Sequence, residues 1–203
     1  TYQYPFKVLA TDINGAPIPN TEIIISVSPL GYLKGFYQAV QADSKGQGGG
    51  WTILVTAPPD LSKNPPYCVN EDVNQNGVLD PGEDRNHNNQ LDPGGIATFA
   101  PGADSVVTGN TMKVKTGNNG YADIAILYTK DMANWVVVNL VARTLVSGSE
   151  DRASVTITLK GAVDDFSDPK KLPPGRVYPD GHIGSPFGLG APLVVDNTKT
   201  PPT

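Results

Sequence analysis

Cysteine is nearly missing from this 203-residue sequence: Cys68 is the only one. One thiol closes no internal disulfide, so the fold is not a disulfide scaffold. Cys68 reads as a partly buried thiol, with an intermolecular bridge or a thiol linkage as the alternative. Long apolar runs are missing as well. None approaches the ~18 residues of a membrane helix, so no membrane span is expected. Histidine is scarce: His87 and His182 lack the partners of a nucleophilic triad, and no catalytic residue is expected. The glycine run Gly46–Gly50 lacks the Lys-Ser/Thr ending of a phosphate loop. At 17% charged and 38% hydrophobic, the chain is neither a charged disordered segment nor a coiled coil. A basic excess is also lacking. The net charge is −5, which argues against nucleic acid as a partner. The sequence opens at Thr1 with no signal peptide and no Met, and reads as a mature or excised fragment.

Turn-forming residues are plentiful. Gly (22) and Pro (19) make up about a fifth of the chain, a density that does not allow long helices. Between them, apolar residues alternate with period two. The runs are Phe6-Val8-Ala10, Ile23-Ile25-Val27, Trp51-Ile53-Val55, Met112-Val114, Ala122-Ile124-Ile126-Tyr128, Val136-Val138-Leu140-Ala142 and Ala153-Val155-Ile157-Leu159. Asn14-Gly15 marks a turn after the first strand. Asn119-Gly120 predicts a hairpin between Val114 and Ile124, Gly46–Gly50 a flexible connection, and Gly148 a turn between the last two strands. The expectation is an all-β fold. Seven to eight short antiparallel strands would pack as two sheets, each burying one face.

Two stretches break the alternation. Residues 58–103 carry prolines, asparagines and a knot of acids, and read as an insertion in a loop. Without them, 1–57 and 104–161 amount to about 115 residues, close to the ~100 of an immunoglobulin-like sandwich. Residues 162–203 form an extended Pro/Gly-rich tail with a short apolar run at Leu193-Val194-Val195. That run could pair with a sheet edge of its own chain or of a neighbouring copy, or the tail could be a linker.

The segment Thr11-Asp12-Ile13-Asn14-Gly15-Ala16-Pro17-Ile18-Pro19-Asn20, followed by Ile23–Val27, resembles the opening of bacterial Ig-like domains of the invasin/intimin type. Thr116-Gly117-Asn118-Asn119-Gly120-Tyr121-Ala122-Asp123-Ile124 is similar to that family's Thr-(Asp/Asn)-x-x-Gly-x-Ala motif at the start of a strand. Trp135–Arg143 and Ala153–Leu159 stand where such domains have their last two strands. The resemblance implies an immunoglobulin-like β-sandwich on a bacterial surface protein. It covers the sandwich alone and is silent on insertion and tail.

The charge is concentrated. Between Asn70 and Gly95 lie six acids (Glu71, Asp72, Asp80, Glu83, Asp84, Asp92) and one base, Arg85; the rest of the chain is balanced. A neutral body with one acidic knot points to a cation site. From Asp72 the sequence matches the twelve-residue EF-hand calcium loop. Asp72, Asn74, Asn76 and Asp80 place side-chain oxygens at positions one, three, five and nine. Gly77 at six permits the turn, Val78 at seven offers its carbonyl, and Glu83 at twelve can bind with both oxygens. Leu79 at eight would pin the loop to the protein. This spacing curls the chain around one hard cation and presents oxygens at alternate residues.

The pattern restarts at once with Asp84, Asn86, Asn88, the Gln90 carbonyl and Asp92. Asn89 replaces the glycine, which is tolerable because Asn enters the left-handed region more readily than most residues. Gly95 replaces the twelfth-position Glu, so a carboxylate must come from elsewhere, or extra waters fill the gap. Prolines rather than helices flank the pair, which resembles thrombospondin type-three repeats and dockerin-like loops. The expected cofactor is Ca²⁺, with one site from the first loop and a second from its copy. Amide-rich sites fall in the weak extracellular range, roughly 10⁻⁴–10⁻³ M, which argues for an extracellular or cell-surface location.

Asp164, Asp165 and Asp168 read as solvated charges, with a further metal site or an acid/base pair as the alternative. Trp51, Trp135, Tyr32 and Tyr37 read as core or edge packing, with a sugar-binding face as the alternative. The function expected is a non-enzymatic structural or adhesive module of a bacterial surface protein or filament. Its partners would be proteins, including copies of itself through the tail. The alternative is a carbohydrate-binding module of a secreted enzyme, with a surface glycan as partner.

Overall fold

Alternation places every second residue of a run on one side of the backbone, and those apolar sides need a common core. A computed structural model describes residues 1–44, 48–58, 64–146 and 149–190, with 145, 146, 149 and 150 described by their backbone. The chain is all-β. Its strands are β1 (Tyr2–Leu9), β2 (Glu22–Tyr32), β3 (Lys34–Val40), β4 (Gly50–Ala57), β5 (Cys68–Val69), β6 (Ala97–Phe99), β7 (Ser105–Thr108), β8 (Thr111–Lys115), β9 (Tyr121–Tyr128), β10 (Val136–Val146), β11 (Ser149–Thr158), β12 (Arg176–Val177) and β13 (Ile183–Gly184). The only helical turns among the described residues are short 3₁₀ segments, Lys130–Met132 and Val163–Asp165. No helix among them is long and apolar enough to cross a membrane.

Among the described residues every pairing is antiparallel, in three sheets. One runs β1-β9-β6, a second β11-β10-β2-β8-β7 with β5 added to β2, and a third β12-β13-β3-β4. Ile23, Ile25 and Val27 of β2 share one core with Met112 and Val114 of β8, Val136, Val138 and Leu140 of β10, and Ala122, Ile124, Ile126 and Tyr128 of β9. These are the alternating residues of the sequence. Burying each such side chain stabilises by about 1.5–3 kcal/mol, which is why the period-two pattern dictates which face turns inward.

Several expectations change. Thirteen strands stand among the described residues where seven to eight were expected, because β3, β5, β6, β7, β12 and β13 are short or lack clean alternation. The hairpin expected at Asn119-Gly120 is not formed. β8 pairs with β2 and β9 with β1, so the turn carries the chain from one sheet to another. Gly120 there takes φ +75°, and its carbonyl accepts the Ala10 N–H at 3.0 Å. The turn at Asn14-Gly15 forms as expected. Asp12 Oδ1 accepts the N–H groups of Asn14 (2.9 Å) and Ala16 (2.8 Å). The ends of 58–103 are knitted into sheets: β5 pairs with β2, β6 pairs with β9, and Phe99 is core. The turn at Gly148, most of the Gly46–Gly50 connection and the run Leu193–Val195 lie outside the described residues.

The described part of 162–203 docks on its own chain. β13 pairs with β3 at Gly184–Phe36, and Ile183 and Phe187 join the core. Phe166 packs on Tyr37. Trp51 donates its indole N–H to the Lys171 carbonyl at 2.8 Å, and Ser185 Oγ donates to the Leu33 carbonyl at 2.7 Å.

Candidate metal centre

A bulge in β2 anchors the acidic segment. Val137 pairs with Gly31 but Val138 with Pro29, so Leu30 is the extra residue. Proline donates no N–H to a ladder and is tolerated at such a bulge. The freed Leu30 carbonyl accepts the Asn70 N–H at 2.9 Å, and the Pro29 carbonyl accepts Asn70 Nδ2 at 3.2 Å. Beside them Gly31 lets β5 approach closely. A Cβ there would stand 2.1 Å from the Cys68 carbonyl oxygen and 2.4 Å from Tyr67 Cδ2. The segment therefore leaves the sheet at a fixed point, Asn70-Glu71.

The first loop curls as its spacing predicts. Asp72 Oδ1 accepts the Asn76 N–H and its Oδ2 the Gly77 N–H, both at 3.0 Å. Asn74 Oδ1 accepts the Asn76 N–H (3.0 Å), and Asn76 Oδ1 accepts the Val78 N–H (2.7 Å). The side-chain amides of Asn74 and Asn76 converge on Asp80 Oδ2 at 2.7 and 2.8 Å. Glu83 closes the ring with both oxygens: Oε1 accepts from Val73 N–H and Oε2 from Asp80 N–H, each at 3.0 Å. Gln75 (φ +59°) and Gly77 (φ +74°) take the left-handed turns.

The second loop repeats the side-chain bonds that the first makes among its positions one to nine. Asp84 accepts from Asn88 N–H (3.0 Å) and Asn89 N–H (2.9 Å). Asn86 Oδ1 accepts from Asn88 N–H, and Asn88 Oδ1 from Gln90 N–H. The amides of Asn86 and Asn88 converge on Asp92 Oδ2 at 2.7 and 2.8 Å. His87 (φ +58°) and Asn89 (φ +59°) stand in for Gln75 and Gly77, so Asn does occupy the glycine's left-handed place. Hydrogen bonds within each loop thus tie together the side chains of Asp72, Asn74, Asn76, Asp80 and Glu83, and those of Asp84, Asn86, Asn88 and Asp92. Val78 and Gln90 take part through their N–H groups.

Glu71 is the residue that the loop pattern did not single out. It is fully buried, and its carboxylate accepts from Arg85 N–H and Asn86 N–H at 3.2 Å and from Asp92 N–H at 3.1 Å. Its own N–H donates to the Asp92 carbonyl at 2.8 Å. The signal that could have found it is its place directly before the first loop, outside either twelve-residue frame.

The donor set is oxygen only, which suits a hard divalent cation of calcium's size and not zinc or copper. No group of three or more His, Cys, Asp or Glu side chains is gathered for an ion among the described residues; amides and backbone supply much of each ring. A carboxylate oxygen holding one N–H keeps a further lone pair, and an Asn amide turned by 180° offers oxygen where it offered nitrogen. Turned so, Asn74, Asn76, Asn86 and Asn88 give up the N–H bonds that their oxygens accept, while the N–H bonds to Asp72, Glu83, Asp84 and Glu71 remain.

Other polar groups serve the fold. Asp165, expected as a solvated charge, is buried and bridges Lys130 (2.7 Å) and Lys171 (3.0 Å), because the docked tail covers it. Asp168 caps Lys170 N–H. Trp135, Tyr32 and Tyr37 are core residues, and Trp51 is tied to the tail, so these four form no sugar platform. Burial pushes the Tyr32 phenol up to about 12, and Asn86 Nδ2 donates to its oxygen at 3.3 Å. Cys68 is half-buried on β5, and burial raises its thiol. His182 pairs with Asp180 at 3.1 Å. No family model, curated protein or solved structure matches the chain.

Proposed function

We propose that this chain is a non-enzymatic, extracellular structural or adhesive module of a bacterial surface protein or filament, an immunoglobulin-like sandwich whose projecting loop pair is made rigid by bound Ca²⁺. The observation that carries the reading is the repeat of one hydrogen-bond pattern in two successive loops at EF-hand offsets. Each loop has left-handed residues at its fourth and sixth positions. Asp72, Asn74, Asn76, the Val78 carbonyl, Asp80 and Glu83 would hold one ion. Asp84, Asn86, Asn88, the Gln90 carbonyl and Asp92 would hold a second. Bound, the ion supplies charge neutralisation and cross-linking of one continuous stretch. Sensor loops act by moving flanking helices; here the flanks are β5 and β6, which supports a structural role. The match of Asp12–Pro17 to the invasin/intimin-type opening supports the surface assignment.

The carbohydrate-binding alternative loses its main support, since Trp135, Tyr32 and Tyr37 are buried. The calcium reading is tested by melting the full chain in millimolar CaCl₂ and in chelator. A ligand held only by the ordered state adds about 2.7 kcal/mol at a hundredfold excess over Kd. Chelation should lower Tm and open 64–96 to protease while the far-UV β signal persists. A melting temperature indifferent to calcium, or loss of the whole β spectrum in chelator, overturns the reading.

A further inference from the structure

We infer that Glu71 is the missing twelfth-position carboxylate of the second calcium loop, supplied from ahead of the first loop. The inference rests on the calcium reading above and adds a residue and a wiring to it. In the first loop, Glu83 grips the N–H groups of the second and ninth residues, Val73 and Asp80, with one oxygen each. In the second loop the corresponding residues are Arg85 and Asp92. Their N–H groups go one to each oxygen of Glu71. The carboxylate thus stands to the second loop as Glu83 stands to the first, although it precedes Asp84 in the chain where Glu83 follows Asp72. Gly95, which holds the twelfth position by sequence, offers no side chain.

Charge gives a second, independent reason. Glu71, Glu83 and Asp92 are 0%, 6% and 5% exposed, and none forms an ion pair with Lys, Arg or His among the described residues. A buried carboxylate without a counter-charge is costly, and buried charges in proteins are paired or bind metal. Arg85, the one base of the segment, reaches Glu71 through its backbone N–H. A divalent cation held in each ring would supply the missing positive charge.

Calcium titration calorimetry on the full chain, stripped of metal and titrated with CaCl₂, tests the wiring. The unaltered protein binds two ions. Glu71→Gln binds one, with the other weakened by more than about tenfold, as expected for loss of a direct ligand. Asp84→Ala loses that same ion, and the two changes together lose no more than either alone. Glu71→Gln combined with Asp72→Ala loses both. Should Glu71→Gln not fold, as judged by its far-UV spectrum, Glu71→Asp, one methylene shorter, is read in its place with the same expected loss. Two ions bound with unchanged affinity in the Glu71 variants overturn the inference, as does loss of the ion that Asp72→Ala removes. If Glu83→Gln loses one ion and Glu71→Gln none, the calcium reading stands and the wiring falls. No binding by the unaltered protein overturns both.

Discussion

Tyr2 Oη donates a 2.6 Å hydrogen bond to Asp165 Oδ2, joining the first residue of β1 to the start of the tail. Lys130 and Lys171 complete the cluster. The Lys130, Tyr2 and Lys171 hydrogen bonds hold the Asp165 carboxyl well below the usual carboxylate range. Burial, reinforced by Asp165, pushes the Tyr2 phenol above its ordinary value.

A carboxyl that is more acidic folded than unfolded stabilises the fold above its unfolded value, near 3.8. That stabilisation drains away as pH falls further. Melting temperature should therefore drop steeply below about pH 4. Asp165→Asn should cost about 1–3 kcal/mol at pH 7 and flatten the acid limb. A variant with the same acid limb as the parent contradicts this role.

Gly31→Ala should be more harmful than its small size suggests. The new methyl falls on the Cys68 carbonyl and the Tyr67 ring, so β5 must move off β2. Overpacking of this kind costs about 1–3 kcal/mol. Because β5 leads directly into Asn70-Glu71, the calcium-dependent rise in Tm should shrink as well. A variant that melts lower yet keeps the full calcium response would show that the anchor and the loops are independent.

Gly77→Ala isolates backbone strain. Nothing lies within 4 Å of the position its Cβ would take, but φ is +74°. An L-residue held there costs roughly 1–2 kcal/mol. The expected result is a calcium midpoint about tenfold higher, since each 1.4 kcal/mol is a factor of ten. Gly95→Ala, in open space and outside the left-handed region, is the control and should leave the midpoint unchanged.

Truncation after Gly161 removes Phe166, Ile183 and Phe187 from the core and uncovers Tyr37. At about 1.5–3 kcal/mol per buried apolar side chain, the melting temperature should fall by many degrees. An unchanged Tm would make residues 162–190 a passive linker.

The alternating runs made the long strands legible, because burial of one face leaves a period-two trace: Ile23-Ile25-Val27 and Ala122–Tyr128 lie where the pattern put them. Strand partners were not legible. Asn119-Gly120 has hairpin chemistry, yet Ala10 and Pro17 claim the turn, and the flanking strands enter different sheets. Short strands such as β5 and β13 owe their existence to tertiary pairing, which leaves no local pattern. The tail's proline content masked Ile183 and Phe187, which are buried by contact with β3 and its neighbours and not by periodicity. In the loops, offsets within one frame picked out the side chains that hydrogen-bond within each loop, whereas Glu71 lies outside either frame. A residue acting across frames carries no spacing signal.

The crossing of Glu71 over the first loop also decides what can be moved as a unit. A cut between Glu83 and Asp84 looks natural, since one twelve-residue frame ends there and the next begins. It would leave the Glu71 carboxylate in one piece and its donors, the N–H groups of Arg85, Asn86 and Asp92, in the other. The smallest graft that keeps every one of these bonds, together with the Asn70 clamp on Leu30, runs from Asn70 to Asp92 on a bulged strand with glycine at the crossing. The first loop closes within its own frame through Glu83, but the second copy, excised by its motif alone, would arrive without the Glu71 carboxylate that holds its backbone.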